Sequence, residues 1–312
     1  MASAVGFEFD PIPVAWLQRD LLLFANSIGV NRDELHFLYE LHPNFQAFPT
    51  YPIVLSFKHK DQEVIDFIAR MTSGAKTIPG VPKLDPGRTL DGQRQLTVLQ
   101  PIPTSSVGRE FELRGKCLGV YDKGKAGTVT ETEHLLVDKA TGEAYTKIVS
   151  SSFAVGQGGW GGPKGPKTEN FPPPEGKAPD ATFAQPTSPE IALLYRLNGD
   201  YNPLHADPTV GKKIGYKGAI LHGLGTWNMA AHAVLKTFGN SDPTRLRLFQ
   251  ARFASAVMPG DGLVFDMWRT GKKEDGFDEI IFVAKVKEGG RVVLSNGRAL
   301  VKVDAGGSTS KL

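Results

Sequence analysis

Apolar positions fall into two runs of the same order along the chain, each opening on a helical period and closing on a period of two. Near the N-terminus Val14, Leu17, Leu21, Phe24 and Ile28 recur at three- and four-residue steps, the spacing of one helix face. Strands follow, separated by turns at Asp122-Lys-Gly and Asp138-Lys-Ala-Thr-Gly. Between them a middle helix, from about Val64 to Met71, is only weakly patterned. The second run opens with a short helix: Thr187 and Ser188 can cap it, Pro189 suits its first turn, and Glu190 completes a Thr-x-x-Glu capping box. A longer helix is expected from Thr226 to Phe238, with Trp227, Ala231, Val234, Leu235 and Phe238 on one face and Gly239-Asn240 as its stop. The period then changes to two. Leu246 and Leu248 begin one strand, and Leu263, Phe265 and Met267 alternate in another. Ile280 to Val286 and Val292 to Val303 flank a Gly289-Gly290 turn.

The two runs are separated by Gly156-Gln-Gly-Gly-Trp-Gly-Gly-Pro-Lys-Gly-Pro and Phe171-Pro-Pro-Pro-Glu, too rich in Gly and Pro for helix or strand. Trp160 and Phe171 within it predict that the segment packs down on a surface. The pattern is therefore α+β, one helix wrapped by an antiparallel sheet, twice over. It places a first domain at 1–155, a linker at 156–181, a second domain at 182–307 and a tail at 308–312.

Composition narrows the function classes. The chain has 312 residues, 40% hydrophobic and 22% charged, with 36 basic against 33 acidic residues and a net charge of +3. Basic and acidic residues are interleaved, so no nucleic-acid stripe is present and no nucleic-acid partner is expected. No apolar run approaches the roughly 20 residues that cross a bilayer, and Met1 to Pro13 lacks the features of a secretory signal. The single Cys117 can neither close an internal disulfide nor build a metal site alone. Ser310, Lys311 and Leu312, after the flexible Asp304-Ala-Gly-Gly-Ser-Thr, match the tripeptide that a peroxisomal import receptor reads at a free C-terminus. A peroxisomal location is expected.

The chemistry concentrates in Tyr195-Arg-Leu-Asn-Gly-Asp200-Tyr-Asn202-Pro203-Leu-His205. Gly199 ends a helix and Asn202-Pro203 forces a turn, which brings Asp200 and His205 to one side of a tight loop. A carboxylate and an imidazole that share one water can deliver its hydroxyl and its proton together. Asn202 offers a donor and an acceptor to orient that water. Downstream, Gly218-Ala-Ile-Leu-His222-Gly223-Leu-Gly225 leads into the long helix, where the Gly223 N–H is placed to hold an oxygen that gains negative charge. Asp200, His205 and His222 are also all metal-ligand types, but no Cys or HExxH-like spacing accompanies them, and no metal or cofactor is expected. His222 is read as a packing or supporting residue beside the site rather than a catalyst, and with Arg252 as a candidate substrate-binding residue. Arg252 suits either a phosphate or a solvated strand face.

The Gly-Asp-x-Asn-Pro-x-His pattern and the later Leu-His-Gly resemble the MaoC-like, (R)-specific enoyl-CoA hydratases of the hot-dog fold. The resemblance is closest to the hydratase domain of peroxisomal multifunctional enzyme type 2. It extends to Phe37-Leu-Tyr-Glu40, Gly158-Gly-Trp-Gly-Gly, Ala251-Arg-Phe and Pro259-Gly-Asp. It implies a double hot-dog and the hydration of trans-2-enoyl-CoA to the (3R)-3-hydroxyacyl-CoA. In this pattern Asp200 and His205 fall on the catalytic pair, Asn202 on the water holder and Gly223 on the oxyanion donor. A homodimer that takes acyl-CoA is expected. Asn198 departs from the Ser or Thr usual there. In the first half, where Leu-His-Gly would be expected, the chain reads Thr89-Leu-Asp91-Gly92. That half is read as having lost its chemistry and as shaping an acyl-chain pocket. The same fold also carries thioesterases and non-catalytic acyl-CoA binders. These remain alternatives that do not require the paired Asp and His.

Overall fold

Helix α7 (Gly223–Gly239) has almost no polar face: fourteen of its seventeen residues, from Leu224 to Gly239, are buried. The sequence pattern predicted a start at Thr226 and one apolar stripe. The helix instead begins three residues earlier and is enclosed on every side, because the rest of the chain is wrapped around it. The computed structural model describes residues 4–72 and 77–304. Its first half holds β1 (Ile12–Val14), α1 (Gln18–Ser27), α2 (Leu35–Leu38), α3 (Leu55–Lys58) and α4 (Phe67–Thr72), then β2 (Thr89–Val98), β3 (Phe111–Asp122), β4 (Gly127–Asp138) and β5 (Ala144–Val155). The second half holds β6 (Ala181–Pro186), α5 (Ile191–Tyr195), α6 (Pro208–Lys213), α7, β7 (Leu246–Phe253), β8 (Gly262–Glu274), β9 (Phe277–Val286) and β10 (Val292–Val301).

All ten strands form one antiparallel sheet in the order β1-β3-β4-β5-β2-β7-β10-β9-β8-β6. Each half contributes five strands in the same order, and the halves meet where β2 pairs with β7, from Gln93 opposite Arg252 to Thr97 opposite Leu248. Two repeats of a helix-and-sheet plan are thus fused into a single sheet with one continuous core. In that core Trp227 of α7 lies edge-on to Phe249 of β7. The fold is the α+β plan that the pattern predicted, and the double hot-dog that the resemblance implied.

Three sequence expectations need correction. Val14 belongs to β1, paired with Phe111, and not to the first helix. That helix begins at Gln18, where the Asp20 carboxylate accepts the Leu17 N–H. The Thr187 capping box does not form. The Thr187 hydroxyl donates to the Asp261 carbonyl and accepts the Gly260 N–H, so it fastens a turn instead of a helix end. The weak helix of the first half shrinks to α4, with Val64 and Ile68 exposed at its edge. Its place in the core is taken by the turn Tyr51–Val54 and α3, whose Tyr51, Ile53, Val54 and Leu55 are buried. The stretch between β5 and β6 crosses the outer face of the sheet as expected. Trp160 donates to Thr128 Oγ1, the Asp122 carboxylate accepts the Gly159 and Gly161 N–H groups, and the Arg298 guanidinium lies over the Phe171 ring.

At the C-terminal end of α7 a buried carboxylate ties the halves together. Glu34 lies 3.0 Å from His232 Nε2 and from Lys236 Nζ, and accepts the Ser241 hydroxyl at 2.6 Å. Burial pushes its carboxyl up, yet His232, Ser241 and Lys236 together outweigh burial and bring it from 4.5 to about 2. A lowered carboxyl contributes stability that is complete above the unfolded value of about 4.5 and is lost as pH falls toward 2. Glu34→Gln is therefore expected to cost on the order of 2–3 kcal/mol at pH 7. In denaturant titrations the gap between the two proteins should close between about pH 4.5 and 2; a gap independent of pH would assign the loss to packing alone.

Candidate active site

The Asp200 loop is held by features that only a few residue types can supply. After α5, a 3-10 turn (Arg196–Asn198) ends at Gly199, whose φ of +117° lies in the region that favours glycine. A Cβ there would stand 2.6 Å from the Lys58 Cα and 2.7 Å from its nitrogen, so the first half presses directly on this turn. Asn198, the departure from the resembling pattern, has a structural task. Its Nδ2 donates to Ser27 Oγ and to the Tyr195 carbonyl, both at 2.9 Å, and so links α1 to the Asp200 loop. A Ser or Thr would be too short to reach both. Asn202 then caps the turn Pro203–His205, accepting the Leu204 N–H on Oδ1 at 3.0 Å, while its own N–H donates to Asp200 Oδ1 at 3.2 Å. The expected donor and acceptor roles of its amide are thereby divided. Oδ1 holds the loop, and the Nδ2 group has no protein partner among the described residues.

The turn carries His205 beneath the start of α7. Its Nδ1 lies 2.9 Å from the Ile220 carbonyl oxygen, so Nδ1 carries the proton and Nε2 presents a lone pair. His222, the N-cap of α7, stacks on it with ring centroids 3.6 Å apart and planes at 24°, and its Nε2 donates to the Asp200 carbonyl at 3.0 Å. His222 thus braces both members of the pair. Burial pushes the Asp200 carboxyl up against the attraction of His205, and burial pushes the His205 imidazole down from 6.5 against the attraction of Asp200. His222 is held well below that value, by burial first and by His205 second. At neutral pH the site holds neutral rings beside a carboxyl whose two forms are drawn closer together in free energy.

Gly223 is the first residue of α7, and a Cβ on it would meet the Phe253 ring at 3.0 Å. Its N–H lies at the positive end of the helix. The donor atoms of Asp200, His205 and His222 all lie within 4.8 Å of one another. Each ring already gives one nitrogen to a backbone carbonyl. The structure corrects one sequence correspondence. Asp91-Gly92 lies within strand β2, not ahead of a helix, so it is no counterpart of His222-Gly223. Arg252 stands opposite Gln93 on the β7 side of the sheet junction and lines a groove of about 380 Å³ with Phe253 and Leu90. Ser310, Lys311 and Leu312 lie outside the described residues.

Two family models match the chain in succession: an MFE-2 hydratase 2 N-terminal domain over residues 15–156 and a MaoC like domain over residues 170–290. A probable dehydratase of Ajellomyces capsulatus is 50% identical over 98% of this chain and 84% of its own. The chain belongs to the MaoC-like hydratase 2 family. A peroxisomal enoyl-CoA hydratase 2 of Arabidopsis thaliana is 32% identical over 89% of this chain and 88% of its own. The crystal structure of a MaoC-like dehydratase from Phytophthora capsici superposes with a TM-score of 0.83 at 34% identity, over 96% of this chain and 97% of that one. Family membership and double hot-dog fold agree with the residues from which the resemblance was first read.

The contact between Gly199 and Lys58 can be tested apart from chemistry. Gly199→Ala adds a methyl to backbone-on-backbone packing at a positive φ, and is expected to lower stability by about 2 kcal/mol. The denaturant midpoint reads this directly; an unchanged midpoint would mean that the Lys58 segment yields freely.

Proposed function

We propose that the chain adds water reversibly to trans-2-enoyl-CoA, giving the (3R)-3-hydroxyacyl-CoA, with Asp200 and His205 serving one water. The observation that carries this reading is the free Nε2 lone pair of His205 beside the Asp200 carboxyl, under the N-terminus of α7. His205 Nε2 takes a proton from the water as its oxygen bonds to C3. That proton returns through the Asp200–His205 pair to C2, so the atoms of one water are accounted for. The Asn202 Nδ2 group orients the water. The Gly223 N–H holds the thioester oxygen while it carries enolate charge. His222 keeps both acid–base groups in place. A thioesterase or a plain acyl-CoA binder would not require this pair, and nothing in the geometry favours either.

The first half is proposed to receive the acyl chain. A groove of about 220 Å³ runs from Leu23, Phe57 and Ile65 of that half to Leu197, Gly199 and Tyr201 of the catalytic loop. Arg252 has no ion-pair partner among the described residues and is suited to a CoA phosphate. The terminal Ser310-Lys311-Leu312 and the peroxisomal name of the Arabidopsis relative support recognition by an import receptor and a peroxisomal location. A homodimer completes the reading on the strength of the family resemblance.

Four outcomes test it. Asp200→Ala and His205→Ala should each lower hydration about 10²–10⁴-fold without loss of folding, and the double variant little further; either single variant keeping a tenth of the activity would remove the pair from the mechanism. The acid limb of kcat/KM should lie below pH 6.5, because a buried imidazole must be neutral to accept a proton and burial lowers its pKa. Hydration in heavy water should place deuterium on C2 and hydroxyl on C3 from the same face, since one loop serves both carbons. Chiral analysis showing anti addition or the (3S) alcohol would refute the pose. Finally, deletion of Leu312 should leave the protein in the cytosol when its location is imaged.

A further inference from the structure

Strand β2 carries a charged pair that the reaction described above does not use. The register between β2 and β5 slips at Gly92: Asp91 pairs with Ser152 and Gln93 with Ser151, leaving Gly92 as the extra residue of a bulge. A Cβ on Gly92 would stand 2.9 Å from the Ser151 carbonyl oxygen, so the bulge closes tightly only around glycine. One extra residue reverses the alternation, and Asp91 is turned to the same face of the strand as Arg94. Arg94 Nε then lies 2.8 Å and 3.0 Å from the two Asp91 oxygens, and its Nη1 donates to Ser150 Oγ.

This face is turned toward α7 and the core. Arg94 sits opposite Ala251 on β7, its carbonyl accepts the Trp227 indole N–H of α7 at 3.3 Å, and Leu96 two residues on is part of the core. Alongside the bulge, Phe253 of β7 packs against Gly223. The groove of about 380 Å³ passes between them, lined by Asp91, Gly92 and Phe253. The Asp91 side chain keeps 33% of its surface open, and Arg94 17%. Asp91 lines the groove, so a molecule seated there would cover its carboxylate and strengthen the field of the pair.

We propose that the Asp91–Arg94 ion pair is a positioning and charge-balancing pair for the catalytic loop, through which the first half takes part in the reaction. The charges that act on the Asp200 carboxyl are His205 from the second half and Arg94 and Asp91 from the first; Asp200 in turn acts on the Tyr195 phenol, and its backbone carbonyl accepts from His222. Arg196 disfavours a charge on His222, and Arg94 disfavours one on His134 of β4. After burial, His205 and the Asn202 N–H, the next influences on the Asp200 carboxyl are Arg94, which draws it down, and Asp91, which pushes it up. The two act with opposite sign. As a closed pair they offset one another, and removing either partner leaves the other acting alone on the loop.

The inference rests on the hydratase reading, and the experiment separates the two. Enoyl-CoA hydration is measured against pH for the full chain and for Arg94→Gln, Asp91→Asn and the double variant, beside Asp200→Ala. Arg94→Gln leaves Asp91 unbalanced and should move the acid limb of kcat/KM up by roughly 0.3–1 pH unit. Asp91→Asn leaves Arg94 unbalanced and should move it down by a similar amount. The double variant should return close to the parent, with kcat affected more than KM. A purely structural ion pair would give single variants with equal losses of kcat and no opposed shift, and that result overturns the proposal. Should Arg94→Gln not fold, Asp91→Asn and Arg94→Lys still decide it: the first must shift the limb down and the second must leave it in place. If wild-type chain hydrates nothing, or Asp200→Ala retains activity, the hydratase reading fails instead.

Discussion

A helix with no solvent-facing side can exist only inside something, and α7 imposes that requirement on the whole chain. Its seventeen residues expose almost nothing, so burial of Trp227, Met229, Val234 and Leu235 contributes stability only if a sheet encloses them. Five strands cannot close around it. The second half therefore continues its sheet into the first through β2 and β7, and short turns from the first half fill the remaining sides. Thr50 and Tyr195 meet across the join through the buried Asn228 of α7: Thr50 Oγ1 donates to Asn228 Oδ1 at 2.6 Å, and Asn228 Nδ2 donates to the Tyr195 hydroxyl at 3.0 Å.

The N-terminus of α7 is where this enclosure opens: Gly223 is exposed beside the Phe253 ring, while His222 just before it is buried and donates to the Asp200 carbonyl. The low-dielectric setting raises the cost of charge on Asp200 and His205 alike. Because one is an acid and the other a base, the same burial brings their proton affinities toward each other. The proton between them becomes easy to move in either direction, which suits a reversible addition. Fixing the loop on both sides, by Gly199 against Lys58 and by Asn198 against Ser27, keeps that geometry from relaxing.

The division of labour between the halves is less sharp than the sequence pattern implied. The first half carries no acid–base loop of its own, yet it supplies the Lys58 backbone under Gly199, the Ser27 anchor and the Asp91–Arg94 pair. The shared sheet places β2 beside α7, and Arg94 and Asp91 act with opposite sign on the Asp200 carboxyl.

The sequence by itself determined the parts whose cause is local. Alternation set β7 to β10, Gly and Pro set the 156–181 crossing, and the Asn202-Pro203 turn set the approach of Asp200 to His205, because each depends on neighbours a few residues away. The family resemblance rested on that same turn and on Leu-His-Gly. Tertiary structure decided what local rules leave open. Val14 became a strand because β3 offered it a partner, and Thr187 fastened a distant turn because Asp261 was in reach. Asn202 divided its amide between loop and site for a similar reason. Asp91 was the hardest to read, since a single-residue bulge at Gly92 reverses which face a strand side chain takes. Bulges, cross-half contacts and the depth at which a charge is buried all depend on partners distant in sequence, and only the closed sheet brings those partners together.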